Sequence, residues 1–358
     1  LSRLYDARFF FNNDLKHKPD QMQKKLEHVV YFNDWGTLAR ASEYLVIIGE
    51  YLARKLDLDP KITRDAAHYS KIDLVSEIIS EKTYTDLQGI MAGYYLKEAG
   101  FAKGISAAVS QQYLPAGENS ALPETIEGAI LSLSNKILLM AVSHFLNLPV
   151  TGSKDIYGVR RAALGFYKVL SEFNIHIDIS ALLNRIDFLN EMQKKQVYSF
   201  IVERIRAFES EVHGISREII DAAAYSPEPD LLMLKKKIYS LEKFSRNPAF
   251  SDTKTTLKRV LNILEKGRAF EFQEDFLIED AEKQLFDEFL LFKEKVEGAG
   301  ADFDRIWSAI LDLKPEIDHF FDKVMVNVED EKIKNNRKGL LALIGDMLLK
   351  IANFKIIS

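Results

Sequence analysis

The sequence contains no cysteine, and this absence limits the chemistry that the chain can carry. Disulfide bonds, thiolate zinc sites and cysteine nucleophiles are all excluded. A chain without disulfides is compatible with a reducing compartment, and we expect a cytoplasmic location. None of the seven histidines lies three or four residues from another, so no helix can present a pair of histidines to one metal ion.

An excess of positive charge is also missing. The 48 Lys and Arg residues are opposed by 53 Asp and Glu residues, which gives a formal net charge of −5. This charge opposes nonspecific association with polyanions, so any contact with RNA must come from local basic patches.

A long uninterrupted apolar run is absent as well. The most apolar stretch, residues 129–148, contains Asn135, Lys136 and His144, each of which is costly at bilayer depth. The stretch therefore predicts a buried helix and no contact with a membrane. Asn135 falls within an apolar stripe of this helix, and we expect it to have a buried hydrogen-bond partner.

The residues that are abundant favour helices. The chain has 358 residues, of which 47% are hydrophobic and 23 are Phe, so general disorder is excluded and about two domains are expected. Helix formers dominate and no run of alternating Val, Ile and Thr marks a strand. We predict an all-α fold with a helical bundle over residues 1–170 and a second helical domain over residues 171–358. Because the chain begins with Leu1 in a segment of helical character, we expect a piece of a longer protein without a signal peptide.

Apolar residues recur at intervals of three and four along much of the chain, as in amphipathic helices. Asp59 and Pro60 are typical of a helix start, and a helix is predicted from there to about Ser80. In the second half, helices are predicted at 196–212, 230–244, 255–265, 281–296 and after Glu331. Breaks are predicted at 226–229, 247–248, 298–300 and 314–315.

A short polar segment forms a hinge between the two halves. Ser153 or Asp155 is placed to cap the helix that follows. The apolar residues of that helix face a core, which leaves Lys154, Arg160 and Arg161 beside the loop and the helix N-terminus. Cations at such a place predict a phosphate site. The alternative is that both arginines are solvated surface charges or pair with acids.

The hinge resembles a segment of a known protein family. Residues 149–165 closely resemble the segment between the HD-like domain and the C-terminal tRNA-binding region in the beta subunit of the bacterial two-subunit glycyl-tRNA synthetase. The chain departs from the family's usual residues at Ile156, Tyr157 and Gly158. The resemblance extends from Arg3 to Ile356, because further matching segments follow in order. They include NDWGTL at 33–38, AAHYSKIDL at 66–74, DLQGIM at 86–91, QYLP at 112–115, YSFIVERIR at 198–206, LKRVLNIL at 257–264 and NFKI at 353–356.

The resemblance implies an HD-like domain with a degenerate metal site. The positions of the metal ligands of HD phosphohydrolases fall at Asn33, Ser70, Lys71 and Asn135. A lysine ammonium group repels a cation and two amides supply no negative charge, so we expect no catalytic metal here. The nearby His68 is predicted to be a structural or surface histidine.

The second half resembles the DALR type of helical anticodon-binding domain. The resemblance implies that the chain holds tRNA(Gly) while a separate alpha subunit attaches glycine with ATP and Mg, the full-length protein forming a heterotetramer. The chain would be part of a ligase without carrying the catalytic site or binding a cofactor itself. The candidate contacts to phosphates and unpaired bases are Lys154, Arg160, Arg161, Arg204, Arg206, Lys258, Arg259, Lys334 and Arg337. For each of them the alternative is a weak surface ion pair.

Other charged groups receive simpler interpretations. The basic run at 235–237 is a weaker candidate for an RNA contact. Glu209, Glu211 and the cluster of Glu279, Asp280 and Glu282 are predicted to be solvated faces.

Two other functions stay open at this point. A metal-dependent HD phosphohydrolase with a helical appendage would need a tightly bound divalent ion. A non-enzymatic helical adaptor would show no salt-dependent affinity for tRNA.

Overall fold

A computed structural model describes residues 2–117, 119–149, 155–263 and 270–358, and over these ranges the predicted all-α fold is confirmed. The chain divides into two compact units, Leu1–Ile205 with Pro229–Leu232 and Arg206–Glu228 with Met233–Ser358. The predicted domain boundary after residue 170 lies inside the first of these units.

The first unit contains ten helices and most of an eleventh among its described residues, together with two short strands. They are α1 (Ser2–Asp14), α2 (Pro19–Lys25), β1 (Val30–Phe32), β2 (Gly36–Thr37), α3 (Leu38–Lys55), α4 (Pro60–Tyr69), α5 (Glu77–Ser80), α6 (Ile90–Glu98), α7 (Lys103–Ser110), α8 (Ile126–Phe145), α9 (Val159–Glu172), α10 (Ile179–Leu183) and α11 (Glu191–Glu211). Short 3₁₀ turns lie at Leu26–His28, Ile72–Val75 and Lys82–Leu87.

Helix α8 lies in the core of the first unit, where it packs against α3, α4, α7 and α9. It is long and apolar enough to cross a membrane by length and composition alone, but 78% of its most apolar 18-residue window is buried in the protein. The prediction of a buried core helix is therefore confirmed. Its start is fixed by Thr125, whose hydroxyl accepts a hydrogen bond from the backbone N–H of Gly128 at 3.1 Å.

One expectation for the first unit was wrong. The helix that starts after Asp59, with Pro60 at its first position, ends at Tyr69 and does not reach Ser80. A two-stranded antiparallel hairpin, β1 with β2, is also present. Strands of three and two residues are too short to produce a detectable alternation of apolar and polar residues.

The second unit is built on the C-terminal end of α11 and six further helices among the described residues. These are α12 (Arg217–Ala223), α13 (Leu231–Ser245, whose first residues belong to the first unit), α14 (Phe250–Ile263), α15 (Asp280–Ala299), α16 (Phe303–Lys323) and α17 (Glu331–Ile351), and a 3₁₀ turn lies at Glu274–Phe276. Helix α15 packs on α16, and α14 packs on both α16 and α17. The five helices predicted in this half are confirmed, with ends that differ by a few residues.

The break predicted at 314–315 is wrong, because α16 continues through Pro315. Leu313 and Ile317, on either side of the proline, are both fully buried. Packing on both sides of the proline therefore holds the helix together although Pro315 cannot donate a backbone hydrogen bond.

Candidate functional site

The hinge helix α9 begins with a left-handed glycine and a carboxylate cap. Gly158 has φ of +73°, a conformation that glycine adopts without strain. The side chain of Asp155 accepts hydrogen bonds from the backbone N–H groups of Arg160 and Arg161, both at 3.2 Å. The predicted capping role of Asp155 is confirmed. Because this carboxylate occupies the helix N-terminus, a phosphate at the hinge would have to be bound by side chains.

The two hinge arginines are not enclosed in buried carboxylate pairs. The side chain of Arg161 is 62% exposed, and its Nε lies 3.5 Å from the carboxylate of Asp155. Arg160 is half-buried, and its Nε is buried without a hydrogen-bond partner among the described residues. The exposed guanidinium group of Arg161 therefore keeps donors available for an incoming anion. Lys154, the third hinge candidate, and Ser153, the other candidate cap, lie outside the described residues.

The structure brings three of the four degenerate HD positions to one cavity. Lys71, Asn33 and Asn135 all line it, and the Nζ of Lys71 lies 2.5 Å from the Oδ1 of Asn135. The expected buried partner of Asn135 is thus a lysine, and its amide nitrogen also donates to the Leu131 carbonyl at 2.9 Å. Ser70 is buried, but its hydroxyl donates to the backbone carbonyl of Ala67 within its own helical turn.

Lys71 is held by three neutral oxygen atoms. Besides Asn135, its Nζ donates to the Oε1 of Gln112 at 2.9 Å and to the hydroxyl of Tyr113 at 2.8 Å. The amide nitrogen of Gln112 donates in turn to the carbonyls of Ser70 and Val109, at 2.7 and 3.0 Å. This network places an ammonium group where the resemblance to HD phosphohydrolases puts a metal ligand.

A second buried lysine lines the same cavity. The Nζ of Lys136, on α8, donates to the carbonyls of Tyr113 and Leu114 at 3.2 and 3.0 Å. Burial lowers the pKa of Lys136 to about 7, and burial together with the neighbouring charge of Lys136 lowers the pKa of Lys71 to about 7. Asp73 acts in the opposite direction on Lys71 by favouring the charged amine.

His68 and Asp73 do not form a metal site. His68 is exposed, as predicted, and its ring contacts Tyr69 edge to face. Asp73 is buried and accepts a hydrogen bond from the backbone N–H of Gly89, while burial raises its pKa to about 6. Among the described residues, no group of three or more His, Cys, Asp or Glu side chains could hold a metal ion.

The candidates on α11 are partly engaged within the protein. The guanidinium carbon of Arg204 lies 5.7 Å from the ring centroid of Phe200, and its Nε is buried without a hydrogen-bond partner. Arg206 lies 3.5 Å from the carboxylate of Asp221 and donates to the Ala224 carbonyl at 3.3 Å. Arg206 is therefore tied to its own unit, whereas Arg204 is half-buried against an aromatic ring.

Two of the candidates in the second unit are adjacent on α14. Arg259 is exposed, and its guanidinium carbon lies 4.2 Å from the ring centroid of Phe321. Lys258 precedes it and is half-buried. Lys334, on α17, is paired with Glu331 at 2.5 Å. A guanidinium group supported by an aromatic ring is a suitable surface for stacking on an unpaired base.

Arg337 has a structural environment. It is 6% exposed, donates to the carboxylate of Glu282, and donates to the Met325 carbonyl at 2.8 Å. A second carboxylate, that of Glu279, lies 3.8 Å away. A buried and neutralised guanidinium group offers no free face to a phosphate, so we place Arg337 outside the RNA-contacting set.

The predicted solvated acidic faces were wrong for two residues. Glu282 is 1% exposed because it accepts backbone hydrogen bonds at the start of α15 and pairs with Arg337. Glu209 is fully buried and accepts a hydrogen bond from the hydroxyl of Tyr239 at 2.8 Å. The basic run at 235–237 also has a buried member, Lys237, which donates to the Lys350 carbonyl at 3.1 Å.

Known protein families match both halves of the chain. Residues 1–225 match the family model of the glycyl-tRNA synthetase beta subunit. The chain belongs to the glycyl-tRNA synthetase beta-subunit family. Residues 253–354 match the model of the DALR anticodon binding domain, which includes Lys258, Arg259 and Lys334.

Individual members of the beta-subunit family match almost the whole chain. The glycine–tRNA ligase beta subunit of Solidesulfovibrio magneticus is 33% identical over 376 residues, which cover 99% of this chain and 53% of the relative. The beta subunit of Bacillus subtilis is 31% identical, over 98% of this chain and 52% of the relative. The beta subunit of Persephonella marina is 30% identical, over 99% of this chain and 53% of the relative. The chain thus spans about half the length of the curated relatives that it matches.

Within this beta-subunit chain, the sequence predictions missed the partners of Lys71. Gln112 and Tyr113 are in a segment that carried the family resemblance, but their role as acceptors for a buried ammonium group depends on tertiary contacts. Lys136 was noted only as a residue unfavourable in a membrane. A lysine within an otherwise apolar helix was the available signal, because a buried amine needs hydrogen-bond acceptors.

Proposed function

We propose that this chain is the tRNA-holding C-terminal portion of a glycyl-tRNA synthetase beta subunit. It supports the ATP-dependent attachment of glycine to tRNA(Gly), which a separate alpha subunit carries out. ATP and Mg act at the alpha subunit, and this chain contributes no catalytic residue and binds no metal. The full-length beta subunit assembles with the alpha subunit as a heterotetramer in the cytoplasm.

One observation carries the RNA-binding part of this proposal. Within the segment that matches the DALR anticodon binding domain, exposed Arg259 lies over the ring of Phe321 with Lys258 beside it. The arginine can stack on a splayed base of a single-stranded loop, and the lysine can neutralise a phosphate. This pairing of stacking and charge is what an anticodon loop requires.

The hinge arginines supply a second contact surface in the proposal. Arg160 and Arg161 lie on the first turn of α9, where Arg161 is exposed and Arg160 is half-buried. We assign them to backbone phosphates, since Asp155 already occupies the helix N-terminus. Phosphate contacts of this kind position an RNA without reading its sequence.

The hydrolase alternative is disfavoured by Lys71. Its ammonium group hydrogen-bonds to Asn135, so both side chains at these former ligand positions are already engaged with each other. A divalent ion placed there would be repelled by the lysine and would gain no carboxylate from the lining residues that the structure describes.

The test is a fluorescence-anisotropy titration of the complete synthetase with labelled tRNA(Gly) and a noncognate tRNA. We expect tighter binding of tRNA(Gly) and an at least fivefold loss of affinity for Arg259→Gln, in line with the about 1–3 kcal/mol measured for base stacking. Arg246→Gln is the matched control, because this exposed arginine pairs only with Glu242 one helical turn away among the contacts described. Equal affinities for the two tRNAs, or equal losses for the two variants, would contradict the assignment.

A further inference from the structure

The cavity in the first unit has an unusual balance of charge for a degenerate metal site. Its volume is about 920 Å³, and the described residues that line it include three cations, Lys71, Lys136 and Arg161. None of these described lining residues is Asp or Glu. The positive charges of the cavity therefore repel a divalent cation, whereas they attract an anion.

The two lysines that line this cavity are buried, being 4% and 6% exposed. The Nζ of Lys71 donates to three neutral oxygens, and the Nζ of Lys136 donates to two carbonyls, which leaves one N–H of Lys136 without an acceptor among the described contacts. Hydrogen bonds to neutral groups satisfy an ammonium group but do not neutralise it. Asp73 offsets part of the charge of Lys71, but no acidic residue is among the described residues that line the cavity, so a bound anion would stabilise both ammonium groups.

Aromatic side chains also line the cavity. The ring centroid of Phe32 lies 4.8 Å from that of Tyr31 and 5.5 Å from that of Tyr157, and all three residues line the cavity. Tyr157 is 45% exposed and lies beside the third cation, Arg161. Aromatic side chains present faces on which a planar heterocycle stacks with a gain of about 1–3 kcal/mol.

We propose that this cavity binds a free nucleoside 5′-monophosphate. The phosphate accepts a hydrogen bond from the N–H of Lys136 that lacks an acceptor among the described residues and lies near the charge of Lys71, and the base packs against Phe32 and Tyr157. A cavity of about 920 Å³ falls in the size range of small-molecule sites and is large enough for such a ligand. The site is separate from the anticodon-binding segment, and Lys71 and Lys136 belong to no tRNA contact proposed above.

The proposal predicts a definite dependence of affinity on pH. In the free protein the pKa values of Lys71 and Lys136 are both lowered to about 7 by burial, and a bound phosphate raises them again by its charge. Binding therefore takes up protons above pH 7, and the affinity falls as the pH rises from 7.0 to 8.5.

The other titratable groups that face the cavity, its lysines or its arginine do not reverse this direction of the pH dependence. Asp73, whose pKa is about 6, is ionised throughout this range, and the pKa values of Tyr31 and Tyr113 are raised by burial well beyond it. Asp155 contributes a carboxylate beside Arg161.

Isothermal titration calorimetry of the complete synthetase with AMP, GMP, CMP and UMP tests the proposal. We expect saturable binding of at least one nucleotide, at least tenfold tighter than that of inorganic phosphate and of the corresponding nucleoside. We expect an at least tenfold weaker affinity for Lys136→Met and an at least fivefold weaker affinity for Tyr157→Ala. The matched controls are Lys97→Met and Tyr94→Ala, which change exposed residues on α6 in the same unit. Circular dichroism melting curves verify that each variant is folded. Because Tyr157→Ala changes an exposed side chain, it still tests the proposal if a lysine variant does not fold.

Three results would overturn the proposal. One is the absence of saturable binding by all four nucleotides at millimolar concentration. Another is a nucleotide affinity that neither Lys136→Met nor Tyr157→Ala changes, or one that is the same at pH 7.0 and pH 8.5. The third is saturable binding of a 5′-phosphorylated trinucleotide without binding of any free mononucleotide, which would assign the cavity to an RNA end. A loss of tRNA binding in Arg259→Gln leaves this proposal unaffected, so the two tests fail independently.

Discussion

The ammonium group of Lys71 lies 2.5 Å from the side-chain oxygen of Asn135, and both residues stand where the resemblance to HD phosphohydrolases places metal ligands. The side chains that replace the ligands thus contact each other. Gln112 and Tyr113 complete the ring of acceptors around the amine. The charged side chains among the described lining residues are all cations, so the cavity favours an anion over a metal ion.

The buried lysines give the first unit a characteristic dependence of stability on pH. Burial lowers the pKa of Lys136 to about 7, so between pH 7 and 10 the unfolded chain binds more protons than the folded chain. The free energy of unfolding therefore rises with pH in this range, by about 1 kcal/mol per pH unit for this lysine. We predict that Lys136→Met removes this contribution, whereas Lys97→Met retains it. Urea denaturation at pH 7.0 and 9.0, followed by the fluorescence of Trp35 in a Trp307→Phe background, measures the difference. Parallel pH dependences for the two variants would argue against a buried amine.

Gly165 allows α9 to approach Lys136 closely. A Cβ atom added at Gly165 would lie 2.5 Å from the Cε of Lys136 and 3.3 Å from the Cγ of Pro115. We predict that Gly165→Ala destabilises the first unit by about 1–3 kcal/mol through overpacking. The control is Gly104→Ala in α7, where the new Cβ would meet Ile62 at an ordinary 3.7 Å. Chemical denaturation should show the loss only at Gly165, and equal stabilities would contradict the packing described.

Arg337 forms a buried pair with Glu282, so its substitution should lower stability, whereas substitution of an RNA-contacting arginine should not. Removing one partner leaves the other charge buried, so Arg337→Met should destabilise the second unit by about 3–5 kcal/mol. Arg259→Gln, at an exposed site, should change the free energy of unfolding by less than about 0.5 kcal/mol. Thermal or urea unfolding distinguishes them. An Arg337→Met variant as stable as the parent, with weakened tRNA binding, would return this residue to the RNA-contacting set.

Asp155 competes with phosphate at the hinge while it caps α9. We predict that Asp155→Asn retains the cap, because Asn is as good an N-cap as Asp, and increases the affinity for tRNA a few-fold by removing a negative charge beside Arg161. Asp155→Ala should in addition cost about 1 kcal/mol of stability. Anisotropy titrations and melting curves of both variants provide the readouts. A decrease in tRNA affinity for Asp155→Asn would mean that the carboxylate orients the arginines rather than opposing the RNA.

The sequence was sufficient for features that depend on local patterns. The helical periodicity, the caps at Asp59 and Asp155 and the need of Asn135 for a buried partner follow from neighbouring residues alone. The burial of Glu209 and Glu282 could not be predicted, since it depends on Tyr239 and Arg337, which are 30 and 55 residues away. The same holds for the two buried lysines of the cavity, because most of their acceptors lie at residues 112–114, which precede α8 and contact it only in the folded chain.

The salt dependence of tRNA(Gly) binding by the complete synthetase tests the central assignment most directly. Each phosphate neutralised by the protein steepens the fall of affinity with salt concentration, by about 0.7 in the logarithmic slope for a single strand and about 0.9 for a duplex. We predict that Arg160→Ala combined with Arg161→Ala weakens binding and makes this slope shallower by about one to two, without loss of helical content by circular dichroism. Affinity and slope identical to those of the parent would show that these arginines are surface charges and would contradict the assignment of the hinge to tRNA.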